Sequence, residues 1–543
     1  MSIEFQKPAS PLAGINDTQT FKNKTLDNNT LRIQDSSDPT KFAHFDMSGL
    51  PTGTDSVISL SSAGGVAPAN VTALSATEVI NNALTLKWTD PNDVIVDGVT
   101  LVAWAGTKIV RKTGSYPTNE NDGTLVVNSV VRNAYSSTGF SDSGLTGGTL
   151  YYYQAFPYSS TGATNRNTAN RVSATVITVY VYGVRIDTTN SNPSTAVTYT
   201  DDAVGMTGGS ATWDTMFPFN AIKPCVLLNG VVQYYLNPNN YAQKADLSAS
   251  NITSGSDGDV MIEIPKMAYL INTTGNYVDV KITNNPNAKS VDANYCFFAH
   301  SRASEGDKNN LYVGAYAGNT SSSKLRSLSG KAPTASQTIG TFRTQAQANG
   351  TGYDQLGFYP LTLLQCLYLI RYKNLDSQTA LGRGYVDANA SAINTGGTNA
   401  KGMNFGEGTG KLQMKFLGIE DFWGNVCNWI DGLFCDGSRN ILTAFTSFNN
   451  TGSGYSNKGT GGAANLGGYM SKPQGNSNTG FIVKEVSGSS TTYYTDYAYL
   501  YAGSLPVFGG AWTYASSAGA FRLDVTYSAS YSDAYIGGRL MFL

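Results

Sequence analysis

The sequence predicts a multidomain, mainly β protein, and three observations carry that prediction. At 543 residues the chain exceeds what one hydrophobic core organises, so it divides into several domains. Gly (58) and Tyr (33) are abundant while charged residues make up only 14%, a balance that suits strands and turns better than helical bundles. Apolar residues recur with period two, as in Leu84, Leu86 and Trp88 or Phe521, Leu523 and Val525.

The same composition narrows the function classes. The formal net charge is −2 and Lys and Arg are scattered, which argues against nucleic acid or an anionic membrane as partner. No window of about eighteen apolar residues exists, so no membrane insertion is expected. Met1 to Ser10 has neither a basic start nor an apolar run, so no secretory signal is expected and synthesis is cytoplasmic. The five cysteines, Cys225, Cys296, Cys366, Cys427 and Cys435, are odd in number and widely spaced, which fits no disulfide framework. With only His44 and His300, a zinc site or His-based catalysis has little material. No cofactor and no metal are expected, although a structural calcium stays open.

Residues 1–66 are polar, with short apolar elements at Leu31/Ile33 and Phe42/Phe45. These are too few for a core, so the segment is either a flexible arm or pairs with identical copies. Asp38-Pro39-Thr40-Lys41-Phe42-Ala43-His44-Phe45-Asp46, followed by Ser48-Gly49-Leu50-Pro51-Thr52-Gly53-Thr54, resembles a repeated segment of bacteriophage tail-fibre proteins. That resemblance implies intertwined trimeric β-structure, hence an N-terminal tail-attachment and trimerisation segment, with His44 a packing or surface residue.

Residues 67–178 follow a linker at Gly64-Gly65-Val66-Ala67-Pro68. Leu84, Leu86 and Trp88 alternate with Thr85 and Lys87, Ile109 and Val110 sit in a second strand, and Tyr151, Tyr153 and Ala155 in a third. The order resembles a fibronectin-III-like β-sandwich, which implies Trp88 in the core, Tyr151 at the tyrosine corner and a spacer role.

Residues 179–543 read as one large domain. Strands are expected at Val179–Ile186, Lys223–Leu228, Val260–Lys266 and Tyr277–Ile282, with a hairpin-like Thr274-Gly275-Asn276 between the last two. A helix is expected over Ile339–Ala348. A second, apolar all round, runs over Leu361–Tyr372 and is started by Pro360. Gly418-Ile419-Glu420-Asp421-Phe422-Trp423-Gly424-Asn425-Val426-Cys427-Asn428-Trp429 resembles the signature of formylglycine-generating-enzyme-like domains, an α+β branch of the C-type lectin fold. Cys427 and Asn428 stand where that family has Trp and Glu. Gly509-Gly510-x-Trp512 and Ile536-Gly537-Gly538-Arg539 fit its closing pattern. The Trp rings and Asn425 are expected to be structural.

The family's enzymes bind copper through two cysteines in the C-terminal part of the domain. Ser504 to Leu543 contains neither Cys nor His, so no enzyme activity is expected. A lectin-type calcium shell needs clustered carboxylates and amides, and only Asp431 and Asp436 lie near the signature.

Between Ala511 and Tyr535 the candidate receptor-binding residues are Thr513, Tyr514, Ser517, Arg522, Asp524, Thr526, Tyr527, Tyr531, Asp533, Ala534 and Tyr535. Tyr, Ser and Asp on small spacers have the composition of an antibody paratope. On the alternating strand, Arg522, Asp524 and Thr526 are expected to share one exposed face, with the tyrosines gathered around it. The frame Gly-Gly-x-Trp, Ala-Gly-x-Phe-x-Leu-x-Val, Ser-Ala-Ser and Ile-Gly-Gly-Arg-Leu resembles the variable region of diversity-generating-retroelement targets. In those systems mutated Asn codons never yield Lys, Glu, Gln, Met or Trp. From Ala511 to Tyr535 the chain has none of these outside the frame Trp512.

These resemblances imply a phage tail receptor-binding protein, part of the virion at the tail tip. It would be a homotrimer that contacts tail or baseplate proteins and a host-cell receptor, glycan or protein. The alternative is a structural tail or baseplate protein whose head contacts neighbouring tail subunits.

Overall fold

In a computed structural model, residues 65–79, 82–96, 99–388 and 391–543 are described, together with three upstream strands, Ile3–Phe5, Leu31–Gln34 and Phe42–His44. Those strands pair antiparallel, Ile3 with Ile33 and Arg32 with His44. The rest of residues 1–64, including Phe45 and Ser48–Thr54, lies outside the described residues. The chain is mainly β and divides into two compact units, Met1–Thr178 and Val179–Leu543.

Within the first unit, a three-stranded and a four-stranded sheet form a sandwich. One holds Phe140–Asp142, Ala83–Thr89 and Thr72–Val79; the other holds Arg171–Thr175, Leu150–Ser159, Trp104–Thr113 and Thr124–Ser129. Leu84, Leu86 and Trp88 of the first sheet pack on Ile109, Tyr153 and Ala155 of the second, as period-two patterning requires of two facing sheets. Trp88 donates its indole N–H to Asp90 at 2.8 Å. The Tyr151 hydroxyl accepts the backbone N–H of Thr146, five residues upstream, at 3.1 Å, a tyrosine-corner bond.

The second unit is built round the helix Phe358–Tyr372, every residue of which is buried. It starts at Phe358, after the N-cap Gly357 and three residues before the expected Leu361, and Pro360 sits in its first turn, where a missing N–H costs nothing. It ends at Lys373, in the left-handed region, whose N–H bonds to Leu369 O. The helix Ile339–Gln347 is capped by the Thr338 side chain, which accepts from Thr341 N. Among the described residues no helix is long and apolar enough to cross a membrane.

The expected hairpin partner of Tyr277–Thr283 is corrected: it is Ala268–Thr274, while Asp259–Pro265 belongs to a different, seven-stranded sheet. Tyr269, Leu270 and Ile271 are consecutive and all buried, so this strand shows no alternation to read.

A six-stranded sheet positions the site. Its order is Leu466–Tyr469, Tyr497–Leu500, Leu523–Tyr527, Leu505–Phe508, Cys427–Trp429 and Ile536–Gly537. One face, with Ala498, Leu500, Phe508, Leu523 and Val525, joins the large core round the long helix. The other, with Cys427, Trp429, Leu505, Val507 and Ile536, builds a second core with Phe342 and Leu540.

Candidate functional site

The site rests on the 418–429 signature. Gly418, Asp421, Gly424 and Asn425 all have positive φ, so the segment is a run of left-handed turns. A Cβ at Gly424 would come within 3.0 Å of the Tyr385 backbone N and O, so glycine is required there. Trp423 is fully buried and donates to Arg383 O at 3.1 Å; Trp429, also fully buried, donates to Gln337 O at 3.1 Å. Asn425 donates to Ile393 O and accepts Ile393 N–H, both at 3.0 Å. All three residues are structural, as the sequence predicts. Arg539 of the closing motif is buried and ties the two motifs together, donating to the carbonyls of Glu420 and Asp421 at 2.9 Å.

Trp512 follows Gly509 and Gly510, whose φ values of 95° and 90° turn the chain out of the sheet. Phe521, at the return, packs on Tyr494 and Phe481 at centroid distances of 5.0 and 5.1 Å. The strand Leu523–Tyr527 then sends Leu523 and Val525 into the large core, as expected.

The expected exposed face of Arg522, Asp524 and Thr526 is corrected. Arg522 and Asp524 are 6% and 4% exposed, and Thr526 is half-buried. Period two separates two faces of a strand without saying that either is wet. Here the second face has its own covering layer, made of the tyrosines. The Arg522 guanidinium lies 4.4 Å from the Tyr514 ring centroid, donates to the carbonyls of Tyr497 (3.2 Å) and Ser517 (3.4 Å), and reaches Asp524 at 3.3 Å. Asp524 also accepts from Thr526 Oγ1 at 2.6 Å. Burial raises the carboxyl of Asp524, partly offset by the charge of Arg522.

Above this pair the tyrosines interlock. Tyr527 stacks edgewise on Trp429 at 5.7 Å and packs on Tyr531 at 4.7 Å. Tyr514 meets Tyr535 at 5.6 Å, and the hydroxyls of Tyr531 and Tyr535 lie 2.9 Å apart. Tyr531 also donates to Asp533 at 3.1 Å. Tyr514, Ser517, Tyr527, Tyr531, Asp533 and Tyr535 are half-buried, while Thr513 and Ala534 are exposed. Burial raises the phenols of Tyr514 and Tyr527, so they stay neutral donors.

The structure adds residues that the sequence reading missed. The strand Tyr497–Leu500 runs parallel beside Leu523–Tyr527, pairing Tyr499 with Asp524. Tyr497 and Tyr499 emerge half-buried, followed by Tyr501 at 38% exposure, while Ala498 and Leu500 turn inward. Tyr469, on the neighbouring strand, packs on Tyr497 at 5.1 Å and its hydroxyl lies 3.4 Å from that of Ser516. The available signal was the alternation Tyr497-Ala498-Tyr499-Leu500-Tyr501; its pairing partner lies about 25 residues away and is not marked in sequence.

Among the described residues no three His, Cys, Asp or Glu side chains gather as a metal-holding group. Asp431 is buried against the Arg343 guanidinium at 3.0 Å, and the Asp436 carboxylate is taken up by Asn440 and Ser438 N–H groups.

No family model matches the chain, and no curated protein matches it. Among solved structures, a chain titled Major Tropism Determinant P3c Variant matches at 13% identity over 79% of this chain and 95% of its own, with a TM-score of 0.20. A TM-score of that size transfers neither fold detail nor a residue role.

Proposed function

We propose that the chain is a phage tail receptor-binding protein, which meets a host-cell receptor through the tyrosine-rich surface of residues 511–535. The observation that carries this reading is the layer itself: Tyr514, Tyr527, Tyr531 and Tyr535 gather at one surface, half-exposed, among Ser, Thr, Asp and Ala. Tyr offers large contact area with few rotamers to freeze, and its hydroxyl pairs with polar partners. Each of these tyrosines is half-buried over a packed base. An enzymatic role has no comparable support. The Cys427 and Cys296 thiols are buried and pushed up to about 12, and the His300 imidazole is buried and pulled down to about 3. Copies joined as a homotrimer through residues 1–66 would turn a weak single contact into an avid one, by about 10²–10⁴ where geometry allows.

The test is attachment of the purified full-length chain to host cells. Tyr531→Ala is expected to lose attachment with melting unchanged. Wild-type attachment by Tyr531→Ala and by Tyr535→Ala overturns the reading.

A further inference from the structure

The stretch that forms the candidate surface is held by its main chain and largely from outside; within it, the Ser517 hydroxyl donates to Tyr514 O at 2.6 Å and Arg522 to Ser517 O at 3.4 Å. Gln378 donates both amide hydrogens to it, to Ala515 O at 2.7 Å and Ala518 O at 2.8 Å. Its amide oxygen accepts from Arg383 Nε at 3.0 Å, which fixes the orientation. Gln365, on the buried helix, donates to Ala520 O at 2.9 Å. The Ser377 hydroxyl accepts Ala520 N–H at 3.0 Å, and the Asp496 carboxylate accepts Phe521 N–H at 2.7 Å. Gln365, Ser377 and Asp496 are buried. A Cβ at Gly519 would lie 2.1 Å from an Asp496 oxygen, so the approach of Asp496 to the turn depends on glycine.

All five bonds go to carbonyl or amide groups, which every residue but proline supplies alike. A turn held by its own side chains moves when those side chains change. A turn held through its main chain by groups on fixed elements does not. We infer that Gln365, Ser377, Gln378 and Asp496 are positioning residues that hold the main chain of 515–521 in place whatever side chains occupy Thr513 and Tyr514. The inference rests on the receptor-binding reading only for what the held surface is for. It gives that reading a device by which side chains can vary on an unmoved loop.

The experiment uses the full-length chain and follows hydrogen exchange of peptides covering 511–521 and 358–372, with melting temperature and cell attachment measured on the same samples. Gln378→Glu keeps size but sets a carboxylate against the Ala515 and Ala518 carbonyls. Ser377→Ala deletes a single hydroxyl and carries the test where Gln378→Glu does not fold. Expected is exchange in 511–521 faster by about tenfold, with the helix peptides unchanged. Thr513→Ala and Thr513→Tyr should leave both regions at wild-type exchange. Unchanged exchange in 511–521 for Ser377→Ala and Gln378→Glu overturns the inference, as does equal loosening by the Thr513 variants. Faster exchange with wild-type attachment upholds the positioning role and removes the receptor from this face.

Discussion

The two faces of the strand Leu523–Tyr527 are built from the same alternation and finished differently. Leu523 and Val525 join a large core in which Phe521 touches Tyr368, Phe481 and Tyr494. Arg522 and Asp524 are buried almost as deeply, but under a layer whose outer edge is wet. The first face is closed by side chains that have nothing else to do. The second is closed by half-buried tyrosines, whose hydroxyls bond to one another, to Asp533 and to Asp524. One layer is thus a lid on a core and, under the proposed function, the surface that meets a partner, so its residues divide by depth rather than by position in sequence.

The largest effect should come from the closed side. Phe521→Ala or Trp429→Ala removes a fully buried aromatic, at a cost of about 3–5 kcal/mol, and should leave the protein unfolded or aggregated at room temperature. Chemical denaturation reads this directly; a wild-type midpoint for one variant would mean that the core holding that residue is not packed as described.

Asp524→Ala tests whether the second face is truly buried. Removing one partner of a buried pair typically costs about 3–5 kcal/mol. Arg522 keeps the Tyr497 and Ser517 carbonyls and the Tyr514 ring, so the lower end of that range is expected. A loss below about 0.5 kcal/mol, the ordinary size for an open surface site, would return Asp524 to the exposed face that alternation alone suggested.

High pH should also separate the two faces. Tyr514 and Tyr527 are raised by burial above the ordinary tyrosine value of 10.0. In the unfolded chain these phenols ionise first, so the folded state holds more protons above pH 10. Their contribution is therefore fully present below pH 10 and is lost as pH rises from there. Melting temperature should fall above pH 10 in the wild type and less steeply in Tyr514→Phe/Tyr527→Phe. An unchanged slope in the double variant would place the alkaline sensitivity elsewhere, for instance at Tyr182 or Tyr199, each raised to about 12 by burial.

Local order was legible in the sequence; what covers it was not. Trp423, Asn425 and Trp429 could be read as structural because their spacing carries a recognisable signature, and Leu523 and Val525 because they alternate. The buried state of Arg522 and Asp524 could not be read, because it depends on Tyr514, Tyr527 and a parallel neighbour strand. Parallel pairing needs a crossover and leaves no local turn signal. The same reason hid Tyr469, Tyr497, Tyr499 and Tyr501. Helix ends, by contrast, were displaced by only three residues at Phe358 and one at Gln347, where caps decide.

The smallest effect on stability is the most informative for function. Tyr501 is 38% exposed, and its ring makes one aromatic contact, with Tyr499 at 6.1 Å. Tyr501→Ala should shift stability by no more than about 0.5 kcal/mol, as a surface substitution does. A Tyr that packs against a partner can nevertheless bury about 150–250 Å², so an attachment defect would be large beside that shift. Tyr501 directly follows the strand Tyr497–Leu500, outside 511–535, with its N–H bonded to Val525 O at 2.9 Å, and its side of the surface is reached through Tyr499, which lies 6.0 Å from the Arg522 guanidinium. If Tyr501→Ala weakens attachment as Tyr531→Ala does, the contact surface spans both strands, and diversity confined to 511–535 would alter only part of it. If attachment is unchanged while Tyr531→Ala abolishes it, the contact ends at the tyrosine lid over Arg522 and Asp524. The faces of that one strand then mark the boundary between what must stay fixed and what is free to meet a partner.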